Sequence, residues 1–399
     1  MSHADSAETA SPQARAASFD WRRAGLCALA AFLVSRLLIL FATILVTGTD
    51  SAAQPPLPGD RHIITFSAER LGETLDRLAT QGDAGWYRGI ANGGYAQRPF
   101  DDSRQENWAF FPLHPLLWRA AITAFGDSSS TALLWSNLLA LLALVALHLA
   151  TRSSGRDAAT ADRAVFVLAF FPTSYFLSLP WSESLFLLVS AGGWAMVRHG
   201  SMAGAGLFGM AASATRVSGV FLLPALAIDL WQRDRPSLRR AWPLALVPLG
   251  ALAFMAWLWW LSGNPLAFAD IQAAWGRALG LPIRAIGIIA LHPDQIAVDW
   301  NVRYLNLAAL LLGLLAIRHF LYRREYGLAL LVAAGVLLPA MTDSLTSMAR
   351  YALGCFPLMI AVADWLRGPM RERLWFALSA SLLLFMSGAL AMGYSFAAC

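Results

Sequence analysis

Residues 21–48 read WRRAGLCALAAFLVSRLLILFATILVTG. Arg22 and Arg23 precede an apolar run from Ala24 to Gly48 that holds one charge, Arg36. A helix rises ~1.5 Å per residue, so about 20 apolar residues cross the ~30 Å hydrocarbon core of a bilayer. The run is therefore long enough to span. It is too long for the apolar region of a cleavable signal and lacks an evident small-residue cleavage site, so it reads as a first span with its N-terminal side inside. Residues 1–20, small and polar, read as a disordered cytoplasmic tail.

Working outward from this run, further apolar blocks fall near 131–151, 164–180, 184–197, 203–230, 242–262, 302–320, 327–342, 351–366 and 374–395. Several are short for a perpendicular span, as happens where helices break around a buried cavity. The 399 residues are 57% hydrophobic and only 14% charged, with mean hydropathy +0.53. Soluble domains run near 45–50% apolar and about 25% charged. The composition excludes a soluble enzyme, a disordered chain and an ordinary basic nucleic-acid binder. The expected fold class is an all-α polytopic membrane protein, with residues 21–399 as one bundle of about 10–11 transmembrane segments.

Net charge is +5 and all 30 basic residues are Arg, which points to a GC-rich bacterial genome and hence a bacterial cytoplasmic membrane. Arg152, Arg156 and Arg163 follow the second block; Arg318, Arg323 and Arg324 the seventh; Arg367, Arg371 and Arg373 the ninth. Placing these inside with Arg22, Arg23 and Arg198 gives one consistent alternation. A single crossing at 203–230 would put Arg233, Arg235, Arg239 and Arg240 outside. A hairpin broken near Thr215-Arg216 keeps them inside and is the preferred reading; a long tilted helix is the alternative.

The outward side then carries a long first loop, 49–130, the turn 180–183, the loop 263–301 and the turn 343–350. Within the first loop, 68–80 and 109–125 have helical periodicity and read as helices along the membrane surface or dipping into it. Three cysteines, Cys27, Cys355 and Cys399, imply no disulfide framework, and seven histidines show no zinc-ligand spacing.

The densest polar and aromatic cluster lies in the first loop: Gly82-Asp83-Ala84-Gly85-Trp86-Tyr87-Arg88, Asn92-Gly93-Gly94-Tyr95, and Asn107-Trp108-Ala109-Phe110-Phe111-Pro112-Leu113-His114-Pro115. Aromatics beside a carboxylate can stack on a sugar ring and raise the carboxylate's pKa by partial burial. They can equally form the aromatic belt found at any interface.

These runs, with Phe171-Pro172-Thr173-Ser174, Ser182-Glu183-Ser184-Leu185-Phe186, Thr215-Arg216, Asn264-Pro265-Leu266-Ala267-Phe268, Trp275-Gly276-Arg277, Arg350-Tyr351 and Phe356-Pro357-Leu358, resemble the PIG-V family, named for GPI mannosyltransferase 2, and its bacterial relatives. The matches come in family order over residues 83–360. The resemblance implies a GT-C superfamily glycosyltransferase, a multi-span protein that takes a sugar, usually mannose, from a polyprenyl-phosphate carrier on the outer leaflet. The family's first-loop Asp, its expected base, maps onto Asp83. Gly82 stands where the family usually has Trp, His114 where it often has Tyr, and the stretch 48–81 is longer than typical.

In an inverting transfer a carboxylate deprotonates the acceptor hydroxyl while polyprenyl phosphate leaves, and cationic groups meet the developing phosphate charge. Asp83 is the candidate base, with a helix N-cap as its alternative role. Arg350 and Arg216 are the candidates for the donor phosphate. A snorkelling interface position is the alternative for Arg350, and pairing with Glu183 or another carboxylate for Arg216. Mid-span Arg36 reads as packing or pairing. Glu183 reads as an acceptor-assisting group, an Arg216 partner or a helix N-terminal charge. Trp86, Tyr87, Asn107, Trp108 and Trp275 are candidate sugar or carrier contacts, and His114 an aromatic hydrogen-bonding one.

Asp101-Asp102 read as solvated acids rather than a metal pair, and lipid-phosphate transferases of the resembled kind commonly work without metal. No cofactor is expected beyond the lipid-linked sugar donor as substrate. Expected partners are that donor, an acceptor glycolipid, glycan or protein, and membrane lipids, with no nucleic acid. The competing reading is a lipid or solute transporter or flippase, which would place polar groups at mid-depth and usually show repeats. Here the motifs gather on one face.

Overall fold

The computed structural model describes residues 20–50, 65–233, 237–277, 280–281, 283–341 and 345–398. The tail 1–19, residues 51–64 of the first outward loop, Arg235, Asp343 and Cys399 lie outside the described residues.

Helices α1 (Trp21–Thr43, continued by a π-turn to Gly48), α5 (Ser129–Ser153), the run through α10 (Leu238–Ala241) and α11 (Leu249–Ser262), α14 (Arg303–Tyr322) and α18 (Pro369–Ala391) are each long and apolar enough to cross a bilayer. The first helices start on side-chain caps. Asp20 accepts from the backbone of Arg23 at 3.0 Å, and Ser128 from that of Thr131 at 3.1 Å. The other apolar blocks form shorter helices: α6 (Ala158–Ala169), α7 (Glu183–Arg198), α8 (Met202–Thr215), α9 (Leu222–Arg233), α15 (Tyr326–Ala340), α16 (Met348–Leu353) and α17 (Phe356–Trp365). Among the described residues strands are confined to two-residue pairs, β1 (Thr49–Asp50) with β2 (Thr65–Phe66) and β3 (Ala297–Val298) with β4 (Asn301–Val302).

The block at 203–230 is broken at the expected place. α8 stops at Thr215, Arg216 is extended (φ −154°, ψ 147°), and a short 3-10 turn, Val217–Phe221, leads into α9. Gly219 is required there: a Cβ on it would sit 2.3 Å from the backbone of Ala212 on α8. Asp229 near the end of α9 binds Arg198 at the end of α7 at 2.6 Å, and α8 begins just beyond Arg198. The start of α8 and the end of α9 therefore lie at one end of the bundle, as a hairpin demands.

That end gathers the loop arginines. Arg23 pairs with Asp162 at 2.6 Å and Arg163 with Glu372 at 3.3 Å. Arg156 sits at its centre, with its side chain 2% exposed. It holds Glu325 through two 2.7 Å bonds and Asp364 at 3.0 Å, tying the loop after α5 to the α14–α15 turn and the end of α17. His319 adds a bond to Asp364 at 3.2 Å and accepts one from Trp365 at 3.1 Å. The arginines thus serve as topological markers and as clasps between loops.

Deeper in the bundle, Arg36 donates to the carbonyl of Ser174 at 2.9 Å and to the hydroxyls of Ser178 and Ser174 at 2.8 Å each. Neutral oxygens of the turn after α6 thus partner it and hold α1 there.

At the opposite end the first loop is folded into α2 (Ala68–Thr80), α3 (Asp83–Gly93) and α4 (Leu113–Phe125). The expected helix at 68–80 is present. The one expected at 109–125 starts at Leu113, because Pro112 keeps the preceding residue out of the helical region and Phe110 is extended. Asp127, just after α4, binds Arg88 at 3.0 Å and Asn92 at 2.9 Å on α3, and these bonds hold its carboxyl below the usual range.

Replacing Arg156 with Met removes the buried guanidinium shared by Glu325 and Asp364, whose side chains are 19% and 4% exposed. Breaking such a buried network costs about 3–5 kcal/mol. A thermal melt of R156M in detergent is expected to show a large drop in midpoint, and a wild-type midpoint would refute the clasp.

Candidate active site

Four helix ends meet at the loop-rich end of the bundle. Asp83 is the first residue of α3 and Glu183 the first of α7. Arg216 closes α8, and Arg350 lies in the last turn of α16. Helix N-termini favour carboxylates and C-termini favour cations, so each charge sits where its own helix stabilises it.

Arg350 links the two acids. Its Nη2 donates to Asp83 Oδ2 and its Nε to Glu183 Oε1. Arg216 Nη2 donates to the same Oε1, and its Nε donates to the Ser182 hydroxyl at 3.1 Å. The Arg350 guanidinium lies over the indole of Trp181, 4.1 Å from the ring centroid, and that of Arg216 faces Phe186 at 5.7 Å. The backbone beside Arg350 is pinned as well. The Ala349 carbonyl accepts from Thr173 at 3.2 Å, and its N–H donates to buried Asn306 at 2.9 Å.

The carboxylates differ in access. The Glu183 side chain is 0% exposed, whereas that of Asp83 is 28% exposed. Glu183 Oε2 has no hydrogen-bond partner. Asp83 makes no capping bond: Gly82 occupies the cap position, and the carboxylate reaches across to α16 instead. Gly82 takes φ +61°, and a Cβ there would lie 3.0 Å from the Trp181 ring. Glycine thus permits both the backbone turn and the approach of Trp181 to a position where the resembled family has Trp.

An aromatic wall flanks Asp83. Tyr87, one turn along α3, packs edge-on against Phe110 and His114, with ring centroids 5.1 and 4.7 Å away. Trp86 stacks on Phe110 at 5.7 Å and meets Trp275 at 5.9 Å. Trp275 ends a 3-10 turn, Ile271–Trp275, in the loop after α11. The sequence candidates Trp86, Tyr87 and Trp275 are thereby brought together from separate loops.

Three candidates are placed otherwise. Trp108 is fully buried, with its N–H donated to the Ala96 carbonyl at 2.9 Å. His114 is also fully buried, and its Nε2 is 3.1 Å from the Pro180 carbonyl, bracing the turn that carries Trp181 and Glu183. Asn107 spends its amide on the backbone of Gly94 and Ala96, at 3.1 Å each. All three bond within the protein and help build the loop that holds Asp83. Sequence reading also passed over Trp181, whose place beside Glu183 in a short outward turn was its one signal.

Among the described residues no three His, Cys, Asp or Glu side chains gather as a metal-binding set. Asp101 instead accepts from the Ser103 backbone at 2.9 Å and faces Arg98 at 3.7 Å, and it is held below the usual carboxylate range by its bonds to Ser103.

No protein family's sequence profile matches the chain, and no curated protein matches it in sequence. Solved structures do match. The bundle shares its fold with an archaeal oligosaccharyltransferase. The apo oligosaccharyltransferase of Archaeoglobus fulgidus superposes with a TM-score of 0.50 at 13% identity, over 92% of this chain and 56% of that one. The same enzyme tethered to an acceptor peptide containing the NVT sequon gives 0.49 at 14% identity, over 92% and 55%. AglB of that organism, in complex with an inhibitory peptide and a dolichol-phosphate, gives 0.47 at 13% identity, over 92% and 56%. The chain spans a little over half the length of these neighbours. The likeness is one of fold alone, and it does not reach the PIG-V family.

Glu183→Gln removes the charge that neutralises Arg216 and Arg350 in a buried setting. Thermal unfolding is expected to register a loss of about 3–5 kcal/mol. A variant melting with the wild type would show that the bundle does not depend on this pair.

Proposed function

We propose that the protein is a membrane glycosyltransferase that moves a sugar, mannose by its resemblance to the PIG-V family, from a polyprenyl-phosphate carrier to an acceptor hydroxyl, with inversion. The site would face the outer side of a bacterial cytoplasmic membrane, since the arginine-rich end lies opposite. The observation that carries the reading is the half-open carboxylate of Asp83, beside an aromatic wall and paired to an arginine that a phosphate can claim.

In the resting site Arg350 neutralises Asp83. An incoming donor brings a phosphodiester, a strong acceptor for guanidinium donors. Arg350 and Arg216 turn toward the phosphate, and Asp83 is released to accept a proton. The acceptor oxygen then attacks the anomeric carbon from the face opposite the phosphate, and its proton passes to Asp83. The bond from that carbon to the phosphate oxygen breaks, and the electron pair leaves with polyprenyl phosphate, whose added charge the arginines meet. Glu183, buried and unable to reach an acceptor, keeps the two arginines together. Trp86 and Trp275, both partly exposed, supply faces on which a sugar ring can stack, and Tyr87, buried at 4% exposure, backs that wall. No step is routed through a metal or cofactor, and the acceptor is a glycolipid, glycan or protein hydroxyl.

Asp83→Asn is expected to lower transfer from polyprenyl-phosphate mannose in reconstituted membranes by at least about 100-fold, the scale of a lost general base. Its melting midpoint should stay close to wild type, because this carboxylate is partly solvated. Near-normal transfer by the variant would overturn the assignment of Asp83. Wild-type protein inactive with every polyprenyl-phosphate sugar, yet carrying a solute or lipid flux, would establish the transporter reading instead.

A further inference from the structure

The charged cluster does not balance within itself. Arg216 and Arg350 offset Asp83 and Glu183, but a third guanidinium faces the same group. Arg277 follows Trp275 of the aromatic wall by two residues, beyond a turn at Gly276, and its N–H donates to the Gln272 carbonyl at 3.2 Å. Its Nη1 donates to Gln272 Oε1 at 3.1 Å and to the Tyr351 hydroxyl at 3.2 Å. The ring of Tyr351 lies 6.0 Å from the Arg216 guanidinium, and Tyr351 directly follows Arg350. Arg277 therefore stands one phenol ring away from the other two arginines.

Both of its partners are neutral. Among the described residues Arg277 meets no carboxylate, whereas Arg156, Arg198, Arg216 and Arg350 all do. Three guanidiniums against two carboxylates leave the cluster at +1. A half-buried cation without a counter-charge is costly unless an anion completes the site. Of the three arginines in this cluster, it is the one that an anion can take without first breaking an ion pair.

We infer that Arg277 is a third ligand for the phosphate of a lipid-linked donor, the one that engages it before Arg350 leaves Asp83. This inference rests on the reading of the protein as a polyprenyl-phosphate transferase. It places the phosphate between Arg277 on the loop after α11 and the Arg216–Arg350 pair, so the sugar it carries lies along Trp275 and Trp86 toward Asp83. Arg277 acts on substrate alone and leaves the base and its neighbours in place.

The test is calorimetric binding of farnesyl phosphate and of farnesol, its uncharged counterpart, to the full-length protein in phosphatidylcholine nanodiscs. Wild type should prefer the phosphate. Arg277→Gln should weaken farnesyl phosphate about tenfold, the scale of one lost charge-assisted bond, and leave farnesol unchanged. Arg277→Lys, which keeps the charge, should fall between. Tyr351→Phe removes the hydroxyl to which Arg277 donates and should bind as wild type does. Wild-type affinity in R277Q would overturn the inference. So would an equal loss in Y351F, since Arg277 would then only prop Tyr351. A wild type that does not distinguish farnesyl phosphate from farnesol would overturn the inference together with the donor class it rests on.

Discussion

One buried carboxylate holds the outward end of the molecule together. Glu183 is fully enclosed, and its Oε1 accepts from both Arg216 and Arg350. An isolated charge at such a position is costly, and so is each guanidinium alone. Together they fix three helix ends, those of α7, α8 and α16, and Asp83 at the head of α3 joins through Arg350. The broken helices follow from this need. Arg216 can reach Glu183 because α8 ends at Thr215, and the backbone next to Arg350 is free for Thr173 and Asn306 because α16 is only one and a half turns long.

Charge is divided between two ends that do different work. At the arginine-rich end Arg156, Arg198 and Arg23 each pair with a carboxylate, and they clasp loops. At the other end the pairing is unequal in access and in number. Asp83 is partly open, Glu183 has an unpartnered oxygen, and Arg277 has only neutral partners. A network whose charges are paired resists change, whereas one with an unpaired charge is poised to exchange an internal partner for a ligand. That contrast is the physical ground for setting the chemistry at the loop-rich end.

The aromatic residues of the first loop show where pattern reading loses resolution. Trp86 and Trp108 look alike in sequence, each beside small and polar residues at an interface. Trp86 stacks in the wall next to Asp83, while Trp108 is sealed in a cluster with Phe100, Phe111 and Phe254 and spends its N–H on Ala96. His114 is equally polar on paper, yet it braces Pro180 from inside. The difference is set by which loop covers which ring, a matter of packing between segments distant in the chain.

The sequence by itself determined the membrane-spanning helical class and the alternation of the loop arginines, it favoured a break at Thr215-Arg216, and it reduced the charges near the aromatic motifs to a short roster. Each follows from local quantities: the length of an apolar run, the cost of a charge in hydrocarbon, and the side of the membrane on which loop arginines fall. Only the tertiary structure decided that Asp83 is a partner of Arg350 rather than a helix cap, that Glu183 joins two arginines, that Trp181 lies beneath one of them, and that Arg277 faces the group without a carboxylate of its own. Those facts depend on residues far apart in the chain converging in a low-dielectric interior, where a few ångströms decide whether a charge is paired, open or in want of a ligand.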